Sequence, residues 1–159
     1  MYDFAISLRG PCTLRGDVTG SLFCSEGKTI VSNPPVISVV DDHASVRVGT
    51  ENLLNSLGYT VHTFASAEEF LRSAHFSDTS CVITDVQMPA MSGVQLQALL
   101  LAQGHHVPII FITAFSDDAV RARALQAGAI CFLTKPLDRL TLIKCLETAL
   151  ERRGGEPCE

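Results

Sequence analysis

The stretch "CVITDVQMPAMSG", Cys81 to Gly93, decides how this chain is read. Four residues with the character of a buried strand run into a lone acid, Asp85; Met88-Pro89 then breaks the chain, and a new segment starts after Gly93. No serine, cysteine or histidine stands beside Asp85 to form a hydrolytic pair, so its chemistry depends on groups elsewhere.

Working outward, the chain alternates strand and helix signals. "VISVV" at 36–40 reads as a strand, and Ser45 to Leu57 as a helix with Val46, Leu53, Leu54 and Leu57 on one face, stopped by Gly58. "YTVHTF" alternates in character, and Ser66 with Glu69 gives a capping-box pattern ahead of Phe70 and Leu71. "CVIT" is a third strand, Ser92 caps a third helix reaching Ala102, and Pro108 introduces "IIFIT" as a fourth strand. A fourth helix runs from about Asp117 to Gly128, "AICFL" is the fifth strand, and Asp138 caps a last helix with Leu140, Ile143, Leu146 and Leu150 in register. Strict alternation implies an α/β fold, a doubly wound five-stranded parallel sheet with five helices, because parallel strands need right-handed crossovers. Only strand two alternates, which places it at an edge; the flavodoxin-like order 2-1-3-4-5 follows, with a ligand crevice between strands one and three.

At 159 residues the chain holds one domain plus tails, and 47% apolar against 18% charged residues suits a packed core. The net charge of -5 leaves no basic excess for gripping nucleic acid. The expected partner is a protein, or a small anion held through a metal. No apolar run is long enough to cross a bilayer, and "MYDFAISLRGPC" lacks the order of a secretory signal. Cysteines at 12, 24, 81, 131, 145 and 158 lack zinc-ligand spacing; Cys81 and Cys131 read as small buried hydrophobes. A core of this size needs no staples, so reduced thiols and a cytoplasmic setting are expected. Residues 1–33 show no period and read as a disordered or weakly ordered extension, or as a mis-assigned start with Val31 as the true one; 34–152 form the domain and 153–159 a tail.

The ends of the strands carry the chemistry. Strand one ends in Asp41-Asp42, strand three in Asp85, strand four in Thr113, and strand five leads into Lys135-Pro136, all on one rim of the sheet. Alone, each is ordinary: an Asp-Asp pair before a helix is usually a cap and turn. Together, three carboxylates without compensation would force one to take up a proton. A hard divalent cation relieves that repulsion, and oxygen ligands without soft ones suit magnesium. An Asp beside such a metal and a lysine can act as a nucleophile toward phosphorus, with Lys135 holding equatorial oxygens and Thr113 donating a hydrogen bond.

From about residue 36 to 150 the sequence resembles a response-regulator receiver domain, through "VVDDHASVR", "VITDVQMPAMSG", "IIFITAF" and "CFLTKPL" in the family's order and spacing; it is most similar to receivers often fused to LuxR-type helix-turn-helix outputs. The resemblance implies that Asp85 is the phosphoacceptor and that Mg2+ is bound directly by Asp42, Asp85 and the backbone carbonyl of Gln87, with Asp41 acting through water. It also implies that Lys135 contacts the phosphoryl group, that the Lys135-Pro136 bond is cis, and that Thr113 and Phe132 are the switching pair. The phosphoryl group would come from a sensor histidine kinase or a histidine phosphotransfer protein. The face of helix four, strand five and helix five would then meet a downstream protein or a second copy.

Two positions depart from the family pattern. Ala90 stands where glycine is usual, and the turn is expected to form with negative backbone angles. Phe115, two residues after Thr113, replaces a position that is often polar, and its bulk is expected to slow loss of phosphate. His43 is given no catalytic role, His105-His106 are read as surface residues, and Arg121 and Arg123 as a solvated face. After the last helix only "RRGGEPCE" remains, too short for a DNA-binding domain, so the sequence reads as a stand-alone or truncated receiver. The alternative is a receiver-shaped interaction module that works without phosphate; a pure scaffold would not require Asp41, Asp42, Asp85, Thr113 and Lys135 together. A flavin carrier would need a phosphate-cradling loop where two acids stand, and a haloacid-dehalogenase-type phosphatase a second acid where Gln87 stands.

Overall fold

The computed structural model describes residues 33–154. The expected extension over 1–33 and tail over 153–159 fall almost wholly outside the described residues. Within them the chain runs β1 (Val36–Val40), α1 (Ala44–Ser56), β2 (Thr60–Phe64), α2 (Ala67–Arg72), β3 (Cys81–Asp85), α3 (Gly93–Ala102), β4 (Ile109–Thr113), α4 (Asp118–Gln126), β5 (Cys131–Thr134) and α5 (Arg139–Gly154). The strands form one parallel sheet in the order β2-β1-β3-β4-β5. β3 and β4 are buried along their whole length and β1 nearly so, whereas β2 and β5, the two edges, are only partly covered. Alternation in β2 therefore did mark an edge, but the apolar run "AICFL" hid the other one.

Helix starts follow the capping residues. Ser92 and Gln95 form a complete capping box on α3, and Asp117 Oδ1 accepts from the N–H groups of Ala119 and Val120 on α4. On α2 the Ser66 hydroxyl accepts from Glu69 N–H, while the Glu69 carboxylate takes the N–H of Ala65 rather than that of the cap. Asp138 accepts from Thr141 N–H at 2.8 Å ahead of α5.

Two apolar stripes sit differently from their sequence reading. Leu140 is 68% exposed, and α5 instead meets the sheet through Leu142, Cys145, Leu146 and Ala149, an i, i+3, i+4, i+7 set that puts Leu140 on the solvent side. In α1 the buried residues are Thr50 and Leu54; Leu57 lies past the helix end and is exposed.

One expectation is overturned outright. Cys131 and Cys145 are joined as a disulfide, with Cα atoms 6.1 Å apart, so the described thiols are not all reduced. The strand pattern identified Cys131 as an inward residue without revealing that α5 places Cys145 opposite it. Cys81 is free and buried, as expected, and burial pushes its thiol up to about 12.

Candidate functional site

The crevice lies beyond the carboxyl ends of β1 and β3. Asp41 follows β1 directly, is fully buried, and is fixed at both ends of its backbone: its N–H donates to Phe64 carbonyl at 3.1 Å, and Arg47 Nη1 donates to its carbonyl at 2.6 Å. Its Oδ1 accepts from the N–H of His43 at 2.8 Å. Asp85 closes β3, paired to Ile112 of β4, and its Oδ1 accepts from Gln87 N–H at 3.1 Å. α3 starts tightly against this strand end, because Gly93 donates its N–H to Val86 carbonyl at 3.0 Å and any Cβ at Gly93 would collide with the Asp85 carbonyl. No side chain fits there.

Lys135 arrives from the far edge of the sheet. Its N–H donates to Thr113 carbonyl at 2.8 Å, its bond to Pro136 is cis, and its Nζ donates to Asp41 Oδ2 at 2.9 Å and to Asp85 Oδ2 at 3.0 Å. Burial disfavours the ammonium, but hydrogen bonds and charge from Asp41 and Asp85 outweigh it and hold Lys135 above the usual lysine range. One cation is thus clamped between two carboxylates drawn from opposite sides of the crevice.

Asp42 is left outside that clamp. Its Oδ1 is buried without a hydrogen-bond partner; it lies 3.1 Å from His43 Nδ1, but not in hydrogen-bonding geometry. Ligand atoms of Asp41, Asp42, His43 and Asp85 all lie within 4.8 Å of one another, so the cluster could hold a metal ion. An unsatisfied buried carboxylate oxygen is costly unless something binds it, and the oxygen-rich set fits a hard divalent cation.

Thr113 is buried, and its hydroxyl is occupied locally: Oγ1 donates to Phe115 carbonyl at 2.9 Å and accepts Phe115 N–H at 3.2 Å. Phe115 is 68% exposed. Phe132 is buried in β5 with its ring 6.0 Å from that of Phe111 and tilted by 42°. Ala90 has φ 67, the one left-handed non-glycine among the described residues, which overturns the expectation of negative angles; glycine is usual there because the turn needs that region.

The model for the response regulator receiver domain matches residues 37–147, which include every member of this crevice. The chain belongs to the response regulator receiver family. Nodulation protein W of Bradyrhizobium diazoefficiens is 39% identical over 126 residues, 79% of this chain and 56% of that protein. Transcriptional regulatory protein TdiR of Thauera aromatica is 41% identical over 122 residues, 77% of this chain and 54% of that protein. The chain therefore spans about half the length of the curated relatives it matches, and it is the receiver part that they share. Among solved structures, a response regulator receiver protein from Burkholderia phymatum is 43% identical with a TM-score of 0.64, covering 74% of this chain and 95% of that one. Receivers of this kind are signalling domains of bacterial two-component systems, which act with histidine kinases or phosphotransfer proteins, rather than enzymes with a metabolic substrate. Among the described residues no helix is long and apolar enough to cross a membrane.

The receiver crevice brings together Asp41, Asp42, Asp85 and Lys135, with Gln87 bound to Asp85 through its N–H. Thr113 joins it through its carbonyl and not its hydroxyl, and Phe132 sits one layer below. Sequence reasoning passed over Arg47 and Gly93 as parts of the crevice, and it gave His43 no catalytic role. Arg47 sits six residues after Asp41, where the first turn of α1 folds it back; Gly93 was taken only as a chain restart.

Proposed function

We propose that this receiver accepts a phosphoryl group from a partner phosphohistidine onto Asp85 and that the modification rearranges the face made by α4, β5 and α5. The Lys135 ammonium bridging Asp41 and Asp85, beside the unsatisfied oxygen of Asp42, carries this reading. The unit is the segment 34–152, in a cytoplasmic setting. Asp42, Asp85 and the Gln87 carbonyl would hold Mg2+ directly and Asp41 through water; bound there, the ion neutralises charge on the phosphoryl oxygens. An Asp85 carboxylate oxygen forms the new bond to phosphorus as the bond to the histidine nitrogen breaks, and that nitrogen keeps the bonding pair. Lys135 gives up its contact with Asp85 to hold an equatorial oxygen. Thr113 exchanges Phe115 carbonyl for the phosphoryl group, which draws the β4–α4 connection inward and frees space for Phe132.

The donor is a sensor histidine kinase or a histidine phosphotransfer protein. An apolar groove of roughly 280 Å³ beside Lys135, lined by Val46, Gly49, Leu53, Pro136 and Leu137 among others, offers it a seat next to the acid. The recipient of the signal is a downstream protein or a second copy of the chain.

Incubation with Mg2+ and a small phosphodonor should give one acid-stable, base-labile phosphoryl group per chain, lost on chelation and absent in Asp85→Asn. No uptake, or equal uptake by the mutant, would leave a phosphorylation-independent interaction module as the better account. Phe115→His should shorten the acyl-phosphate lifetime by opening the site to water; an unchanged lifetime would rule out shielding by the ring.

A further inference from the structure

We infer that Cys131 and Cys145 are a reversible redox couple, formed by exchange with a small-molecule disulfide, and that its state sets how freely β5 and α5 move in response to the phosphoryl group. The second half rests on the function proposed above; the first stands without it. Cys131 and Phe132 are consecutive in β5 and so point to opposite sides of the sheet: Cys131 packs against the core cluster that includes Ile110, Leu142 and Leu146, and Phe132 belongs to the one that includes Phe111, Ala124 and Leu96. A covalent tether therefore adjoins the aromatic expected to move. β5 is an edge strand, hydrogen-bonded only to β4, and this bond is its covalent tie to α5.

The pair is placed for exchange. Its Cα separation of 6.1 Å lies in the ordinary range for a disulfide, so the bond can form and break with little backbone movement. Cys131 is a partly exposed residue at the sheet edge and Cys145 is buried, so the exchange is assigned to begin at Cys131. The Cys131 thiolate attacks the small disulfide and releases one small thiol, leaving a mixed disulfide on Cys131. The Cys145 thiolate then attacks the Cys131 sulfur and expels the second. Two protein thiols have lost two electrons and two protons, and one small disulfide has become two thiols. Cys81 packs on the same side of the sheet, but full burial keeps it a thiol and out of the exchange.

The test equilibrates the full chain in glutathione buffers from fully reduced to fully oxidised, quenches with acid, alkylates under denaturing conditions and maps the peptides. Cys131 and Cys145 should lose alkylation together, with one midpoint and a linked peptide, while Cys81 stays alkylated throughout. In Cys145→Ser, Cys131 should instead accumulate a glutathione adduct. Independent midpoints, a link to a different cysteine, or full alkylation at every poise would overturn the couple. Hydrogen exchange of β5 and α5 should be at least about tenfold slower in the oxidised chain without any phosphodonor. Phosphodonor with Mg2+ should then speed exchange across β5 in the reduced chain and much less in the oxidised one. Equal exchange in both redox states would overturn the restraint. If wild type takes up no phosphoryl group in either state while the couple titrates as described, the phosphoacceptor reading fails and the redox site stands.

Discussion

Against α1 and α5 the sheet is covered mainly by aliphatic side chains, whereas the side facing α2, α3 and α4 holds all four buried phenylalanines of the described residues, three from the sheet and Phe70 from α2. On the first side α5 alone contributes Leu142, Cys145, Leu146 and Ala149, all buried. On the second, α4 buries only Ala124 fully, with Val120 partly buried against the core. Hydrophobic burial follows area, so α5 is held firmly and α4 weakly. The difference bears on where the proposed signal would travel: Phe132 and Phe111 lie on the side whose covering helix α4 costs less to displace than α5. Asp41, Asp85 and Lys135 sit where the two sides meet.

The largest effect that would break this contrast is on the aliphatic side. Leu146→Ala should cost about 3 kcal/mol, read as a fall in denaturant midpoint, while Val120→Ala on α4 should cost under about 1 kcal/mol. Equal losses would mean that α4 is as firmly packed as α5. Next, Lys135→Ala removes the one cation that bridges the Asp41 and Asp85 carboxylates among the described residues. In metal-free buffer it should cost about 2 kcal/mol, below the full price of a broken buried pair because Lys135 is partly solvated, and added Mg2+ should recover part of the loss. The pH dependence has a fixed sign. Because Lys135 is raised on folding, its contribution is complete below the unfolded lysine value and is lost as pH rises through the folded one. Alkaline unfolding curves should therefore steepen in wild type and not in Lys135→Ala.

Smaller effects sharpen the account of α4. The Gln97 side chain, buried in α3, donates to Ala124 carbonyl at 3.1 Å and is the one side-chain hydrogen bond from α3 to α4 among the described residues. Gln97→Ala should cost about 1 kcal/mol and speed hydrogen exchange in α4 with little change in α5. Smallest of all, Ala90→Gly should stabilise by less than about 1 kcal/mol, since it relieves the left-handed strain but gives the unfolded chain more freedom. Destabilisation by that change would mean that Ala90 makes a contact worth more than its backbone cost.

Topology and crevice were legible in the sequence because both are written locally. Gly58, Ser92 and Asp138 punctuate the elements, and Asp41, Asp42, Asp85 and Lys135 each stand at a strand end, so the strand order alone gathers them. What escaped depends on rotation or on distance between elements. Leu140 was misassigned because an apolar residue near a helix start fits two neighbouring faces, and only packing chooses between them. The Cys131–Cys145 bond needs the spacing of β5 and α5, which residue type does not encode. The turn at Ala90 was expected to relax toward negative φ; the surrounding loop instead imposes the geometry that glycine would adopt freely. His43 and Arg47 reach Asp41 only because α1 begins three residues later, at Ala44.

The central claim is that Asp85, and neither of its acidic neighbours, receives the phosphoryl group. Borohydride reduces an aspartyl phosphate to homoserine, which marks the modified position in a peptide map. After incubation with Mg2+ and a small phosphodonor, the account predicts homoserine at position 85 alone. Homoserine at position 41 or 42, or none at all in a chain that has taken up phosphate, would contradict it.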